Sequence, residues 1–72
     1  MTKFIGHGML EIYSKELDIG GEEKLSNVVR FLNIPENLQE HIVFIKGGRT
    51  LNGDDLIKDG DEVHFYIVPF GG

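Results

Sequence analysis

Two hydrophobic periods organise the chain. Over residues 62–68, Val63, Phe65 and Ile67 alternate with His64, Tyr66 and Val68. A period of two predicts a strand with the first set facing a core and the second facing away. Upstream, Leu25, Val28, Val29 and Leu32 recur at i, i+3, i+4 and i+7, which places them on one face of a helix. Glu22 and Glu23 stand just before this stripe, where a helix dipole favours negative charge. The helix is expected to stop at Ile34-Pro35, because proline restricts the residue before it. Such an amphipathic stripe reads as core rather than as a cofactor box, and Phe65 is expected to be buried against it.

The remaining segments are shorter. Lys3-Phe4-Ile5 reads as a strand broken by Gly6 and Gly8. Met9-Leu10-Glu11-Ile12-Tyr13 alternates partially, but Glu16-Leu17-Asp18-Ile19 alternates as well and ends at Gly20-Gly21. The second is favoured as the returning strand, leaving residues 8–14 as a wide connection with one helical turn. Asn37-Leu38-Gln39-Glu40 is a polar turn. Ile42-Val43-Phe44-Ile45 is a β-branched and aromatic run ending at Gly47-Gly48, and a short partner strand follows at Arg49-Thr50-Leu51. Gly53-Asp54-Asp55 and Lys58-Asp59-Gly60-Asp61 are turns, with Gly60 able to take positive φ. The order strand, strand, helix, strand, short strand, strand predicts an α+β roll: one helix across one face of a mixed sheet. The opposite face is expected to carry an exposed area of Phe44, His64, Tyr66 and Val68.

Composition narrows the chemistry. Seventy-two residues form one small domain. The absence of cysteine removes disulfides, a thiolate nucleophile and cysteine-type zinc sites. A net charge of −5 argues against nucleic acid and anionic membrane as partners, since both need clustered Lys and Arg, and suits a basic partner surface. No apolar run reaches the roughly 20 residues that span a bilayer, and Met1-Thr2-Lys3 opens no signal-peptide pattern; a cytoplasmic location is expected. His7, His41 and His64 are separated in sequence without a His-x-x-x-His spacing, so no metal site is expected. The Asp54-Asp55 and Asp59-Gly60-Asp61 pairs lack the twelve-residue pattern of a calcium loop. Gly20-Gly21 lacks the Lys-Ser/Thr of a phosphate cradle.

The end of the sequence, Val68-Pro69-Phe70-Gly71-Gly72, is the feature to which the rest leads. Glycines without side chains pass a narrow channel and accept backbone conformations that other residues resist. Residues 1–68 are expected to form the domain and residues 69–72 a flexible tail that can be threaded into another protein.

With that tail, Leu56, Asp59-Gly60-Asp61-Glu62-Val63, Pro69 and Gly71-Gly72 resemble the prokaryotic sulfur carriers, the small subunit of molybdopterin synthase and the thiamine-pathway carrier. The resemblance extends upstream through Leu32-Asn33-Ile34-Pro35-Glu36 and Val43-Phe44-Ile45, so it covers most of the chain from about residue 15. It implies the β-grasp roll of ubiquitin, with a mixed sheet of four to five strands. It also implies a protein co-substrate rather than an enzyme, with no bound cofactor. An adenylating partner similar to ubiquitin's activator would use ATP on Gly72, and a sulfur donor would then leave a thiocarboxylate for a synthase. Pro69, Phe70 and Gly71 would lie in the partner's channel. The alternative is a protein modifier joined through Gly72, or a β-grasp adaptor. One proline precedes the diglycine where molybdopterin-type tails often have two. Ubiquitin's tail arginines have no counterpart here, so ubiquitin's own activating enzyme is not the expected partner.

Overall fold

A computed structural model describes residues 1–68. The expectations for Pro69, Phe70, Gly71 and Gly72 fall outside the described residues. The main sheet has five strands in the order β2-β1-β7-β4-β5. These are β1 (Thr2–Gly6), β2 (Lys15–Leu17), β4 (Ile42–Lys46), β5 (Arg49–Leu51) and β7 (Glu62–Ile67). The first and last strands lie side by side and parallel, while every other neighbouring pair is antiparallel. A two-stranded ribbon of β3 (Glu22–Lys24) and β6 (Leu56–Lys58) stands beside it. The architecture is α+β and β-grasp-like, with one main helix on one face.

The period-two reading of the last strand holds, with Val63 and Phe65 fully buried and Ile67 packed against the same core. In β1 the matching set is Thr2, Phe4 and Gly6, all buried. Parallel pairing sets Phe4 beside Val63 and Gly6 beside Phe65. Gly6 has a steric reason to be glycine. A Cβ there would run into the main-chain carbonyl of Leu10 and come within 2.9 Å of the Phe65 ring. The backbone of residues 8–13, a 3₁₀ segment whose Leu10 is fully buried, thus folds directly over the end of β1. Ser14 completes the fold-over by accepting the Gly6 N–H on its Oγ at 2.8 Å.

The helix α1 (Leu25–Val29) continues into a 3₁₀ turn over Arg30–Leu32. Leu25, Val28 and Leu32 are buried and Val29 half-buried, in one cluster with Phe4, Phe44, Ile57, Val63 and Phe65. Asn33 ends it in the left-handed region at φ 58°, two residues before Pro35. The polar segment expected as a turn winds into one helical turn, α2 (Glu36–Gln39). Lys46-Gly47-Gly48-Arg49 makes a two-residue hairpin with both glycines at positive φ, 58° and 79°. Such a connection matches the twist of the flanking strands.

The start of the helix departs from expectation. Glu22 and Glu23 are not in the first helical turn; they form β3, paired with Lys58 and Ile57 of β6. The first helical N–H groups are met by main-chain carbonyls from the 53–55 loop, with Leu25 N–H donating to Asp55 O at 2.9 Å and Ser26 N–H to Gly53 O at 3.0 Å. With these donors satisfied from outside, residues 22–24 are released to stay extended. Glu23 still serves the helix start. Its Oε1 accepts from Asn27 Nδ2 at 2.8 Å and from Lys24 N–H at 3.1 Å, and these contacts, Asn27's first, hold its pKa below the ordinary glutamate value.

The turn at residues 58–61 ties the fold together. Asp61 Oδ2 accepts the Lys58 N–H at 2.8 Å and the Lys46 ammonium of β4 at 3.0 Å. Asp61 N–H donates back to Lys58 O, and Gly60 supplies the positive φ of 94° that the reversal needs. From β1, Lys3 N–H donates to Asp61 O and buried Thr2 Oγ1 to Lys58 O, both at 3.0 Å. One turn therefore sets β6, β7, β1 and β4 against each other.

Two predictions follow from this packing. Gly6→Ala should cost about 1–3 kcal/mol in urea unfolding, because the clashing atoms are backbone. Gly53→Ala, whose Cβ would meet Ser26 Cβ at an ordinary 3.4 Å, should stay within about 0.5 kcal/mol. The Asp61 carboxyl lies below the usual aspartate range, chiefly through the Lys58 N–H bond, with Lys46 adding to it and burial opposing. A depressed carboxylate pKa adds stability above the unfolded value and loses it as pH falls through the folded value. Unfolding curves from roughly pH 7 down to pH 2 should therefore show wild type more stable than Asp61→Asn at neutral pH, with the two converging in acid.

Candidate functional site: the sheet face opposite the helix

Alternation along β7 carries His64, Tyr66 and Val68 to the face turned away from the helix, as expected. Tyr66 is 37% exposed and Val68 49%. Val68 N–H donates to His41 O at 2.7 Å, which prolongs the β4 contact to the last described residue.

Phe44 does not join them. It is buried at 8%, stands directly opposite Phe65 in the β4–β7 register, and packs its ring on Phe65 at 5.5 Å between centroids. Directly opposed residues share a face, so Phe44 belongs to the core. Four consecutive apolar residues, Ile42-Val43-Phe44-Ile45, gave the pattern no polar alternation from which to tell in from out. The β4 residues on the outer face are Val43, opposite Tyr66, and Ile45, opposite His64, both half-buried.

The residue that sequence reading missed is His7. It follows β1 in phase with Lys3 and Ile5, and Ile5 is the register partner of His64. Alternation across Gly6 was the available signal. His7 N–H donates to Phe65 O at 3.1 Å, which keeps the residue in the sheet. Its ring stacks on Tyr66 with centroids 4.4 Å apart and planes 8° from parallel, and it lies 5.0 Å from the His64 ring at 23°.

The polar atoms form a line. His64 Nε2 lies 2.9 Å from Glu62 Oε2, and His64 Nδ1 lies 2.8 Å from His7 Nε2. An ionised carboxylate only accepts, so neutral His64 carries its proton on Nε2 and presents a lone pair at Nδ1. His7 Nε2–H must then be the donor between the rings. The order Glu62, His64, His7 is thus a directed array with Tyr66 stacked on its last ring, on the same face as Ile5, Val43, Ile45 and Val68. Beside its end, Met9 and Ile12 of the 3₁₀ segment are 65% and 81% exposed.

Chemically, the face combines aromatic faces and apolar side chains with a small set of oriented polar groups. Among the described residues no group of three or more His, Cys, Asp or Glu side chains is placed to hold a metal ion. No helix among the described residues is long and apolar enough to cross a membrane.

The stack makes a spectroscopic prediction. In Tyr66→Leu the His7 ring protons should move downfield in the NMR spectrum as the shielding ring is removed, and the fold should lose about 0.5–1.5 kcal/mol, the range of one aromatic pair. Unmoved His7 resonances would show that the rings do not stack in solution. No family model matches the chain, and no curated protein matches it at a significant level.

Proposed function

We propose that this chain is a sulfur carrier, a protein co-substrate whose Gly72 is activated and converted to a thiocarboxylate by a partner enzyme. The observation that supports this most is the position of β7. It is the middle strand of a β-grasp-like sheet, bonded on both sides by β1 and β4, and it leads directly to Pro69-Phe70-Gly71-Gly72. The turn before it, Asp59-Gly60-Asp61, and its own first residues, Glu62-Val63, belong to the same sulfur-carrier resemblance.

In this reading the Gly72 carboxylate attacks the α-phosphorus of ATP, releasing pyrophosphate and leaving an acyl adenylate. A sulfur donor then displaces AMP to give the thiocarboxylate. A free carboxylate is a poor electrophile, and the adenylate supplies the leaving group. Both ATP and catalysis belong to the adenylating partner; the carrier contributes Gly72, the Pro69-Phe70-Gly71 segment that leads to it and a surface that holds the body in place. His64, Tyr66 and Val68, joined by His7 and Val43, form that surface. A threaded tail loses entropy on binding, and an aromatic anchor on the folded body offsets it. A synthase that accepts the sulfur would use the same tail.

The test has two arms. Incubation with ATP, the adenylating enzyme and a sulfur donor should raise the intact mass by about 16 Da, oxygen replaced by sulfur at one position. Deletion of Gly72 should abolish this without loss of fold, and activation of the truncated chain would overturn the carrier reading. Tyr66→Ala should weaken binding to the adenylating enzyme by about 1 kcal/mol or more. Unchanged affinity would remove the outer face from the mechanism and leave the tail alone.

A further inference from the structure

We propose that the edge strand β2 and the groove beside it bind an extended segment of another protein in which basic and apolar residues alternate. The proposal is independent of the carrier reading, since neither Gly72 nor Tyr66 enters it.

The first argument is the free edge. Among the described residues, β2 ends the five-stranded sheet and has β1 as its one neighbour. Along a strand, the main-chain groups of successive residues point to opposite sides. Lys3 N–H donates to Asp61 O, so Lys3 bonds towards β7, and its neighbours Thr2 and Phe4 bond towards β2. Their register partners are Leu17 and Lys15. Glu16, between those two, therefore turns its N–H and C=O away from the sheet, where an added strand can pair with them.

The second argument is shape. A cavity of about 300 Å³ lies beside this edge, lined by Leu17, Asp18, Ile19, Glu23, Val28 and Phe31. Leu17 and Ile19 are half-buried against the core. Phe31, in the 3₁₀ turn after α1, lines the cavity while 64% exposed, an aromatic surface that a partner side chain can cover. Lys15 Nζ donates to Phe31 O at 3.1 Å, which ties β2 to the end of the helix as two walls of one groove.

The third argument is charge, and it selects the occupant. Exposure alternates along this edge: Leu17 and Ile19 are half-buried, Glu16 and Asp18 exposed. A strand laid beside it sets its own side chains opposite these in turn. Those next to Leu17 and Ile19 enter the apolar groove, and those next to Glu16 and Asp18 meet carboxylates, so basic residues fit there. Lys3 already stands opposite Glu16 on β1, which leaves Asp18, with Glu23 in the groove wall, the larger share of the preference. A second copy of this chain fits poorly. Two β2 strands paired antiparallel about Glu16 or about Leu17 would oppose Glu16 to another Glu16 or to Asp18, and like charges directly opposite are destabilising.

The experiment maps chemical shifts on the isotope-labelled full chain with two acetylated, amidated peptides: Gly-Lys-Val-Lys-Ile-Lys-Gly, and the same sequence with Glu in place of Lys. The Lys peptide should give saturable shifts at the amides of residues 15–19 and 28–31, and the Glu peptide should bind about tenfold more weakly or not at all. Glu16→Pro removes the outward N–H and spares the bonds to β1; it should lower affinity for the Lys peptide about tenfold. Phe31→Ala should lower it about fivefold. The Glu16→Lys/Asp18→Lys double variant should reverse the preference between the two peptides, a readout that stands even if the proline variant does not fold. Circular dichroism confirms the fold of each variant. Equal binding of both peptides, shifts centred on the opposite edge at Arg49–Leu51, or no binding would overturn the proposal. So would concentration-dependent shifts of residues 15–19 without peptide, which mark a second copy on the edge.

Discussion

The parallel pairing of β1 with β7 is the constraint on which the rest of this structure depends. Parallel neighbours cannot be joined by a hairpin, so the chain between them must include a crossover. Here that chain contains the helix, the β4–β5 hairpin and the β3–β6 ribbon. What brings the two strands into register is local: the 58–61 turn receives Lys3 N–H and Thr2 Oγ1 from β1. The Asp61 carboxylate inside it reaches Lys46 on β4. A short acidic turn thereby fixes the alignment of the three central strands.

That register has consequences on both faces. Inside, it stacks Phe4 with Val63 and Phe44 with Phe65 beneath the helix residues Leu25, Val28 and Leu32. Outside, it brings Ile5 and Ile45 to either side of His64 and carries His7 over Tyr66. A slip of one residue would exchange the two faces completely. The core and the outer face are therefore products of one alignment, and neither can be altered in register without the other.

The outer face is polar in an ordered way. Surface apolar residues scattered singly need no explanation, but here Tyr66, Val68, Val43 and Ile45 surround a directed line of carboxylate and imidazoles. In the proposed carrier, this face grips the partner's surface while the end of β7 delivers the chain to it. The Gly6 fold-over, with Leu10 buried beneath the exposed Met9 and Ile12, builds the shoulder beside that end. Steric closeness at one glycine thus shapes the part of the surface nearest the exit of the chain.

The sequence by itself determined the elements whose periodicity is strong and local. The alternation of Val63, Phe65 and Ile67, the helical stripe from Leu25 to Leu32, the Gly47-Gly48 hairpin and the Gly60 turn all follow from residue type and spacing. So do the α+β class and the outward direction of His64, Tyr66 and Val68. Tertiary structure decided what periodicity leaves open. Phe44 went inward because its register partner is Phe65, a choice that an all-apolar run cannot encode. Glu22 and Glu23 became a strand because carbonyls from residues 53 and 55 meet the helix's first N–H groups, while β6 offers an edge to pair with. His7 met His64, 57 positions away, because parallel strands join the two ends of the chain, and no local pattern carries information about that distance.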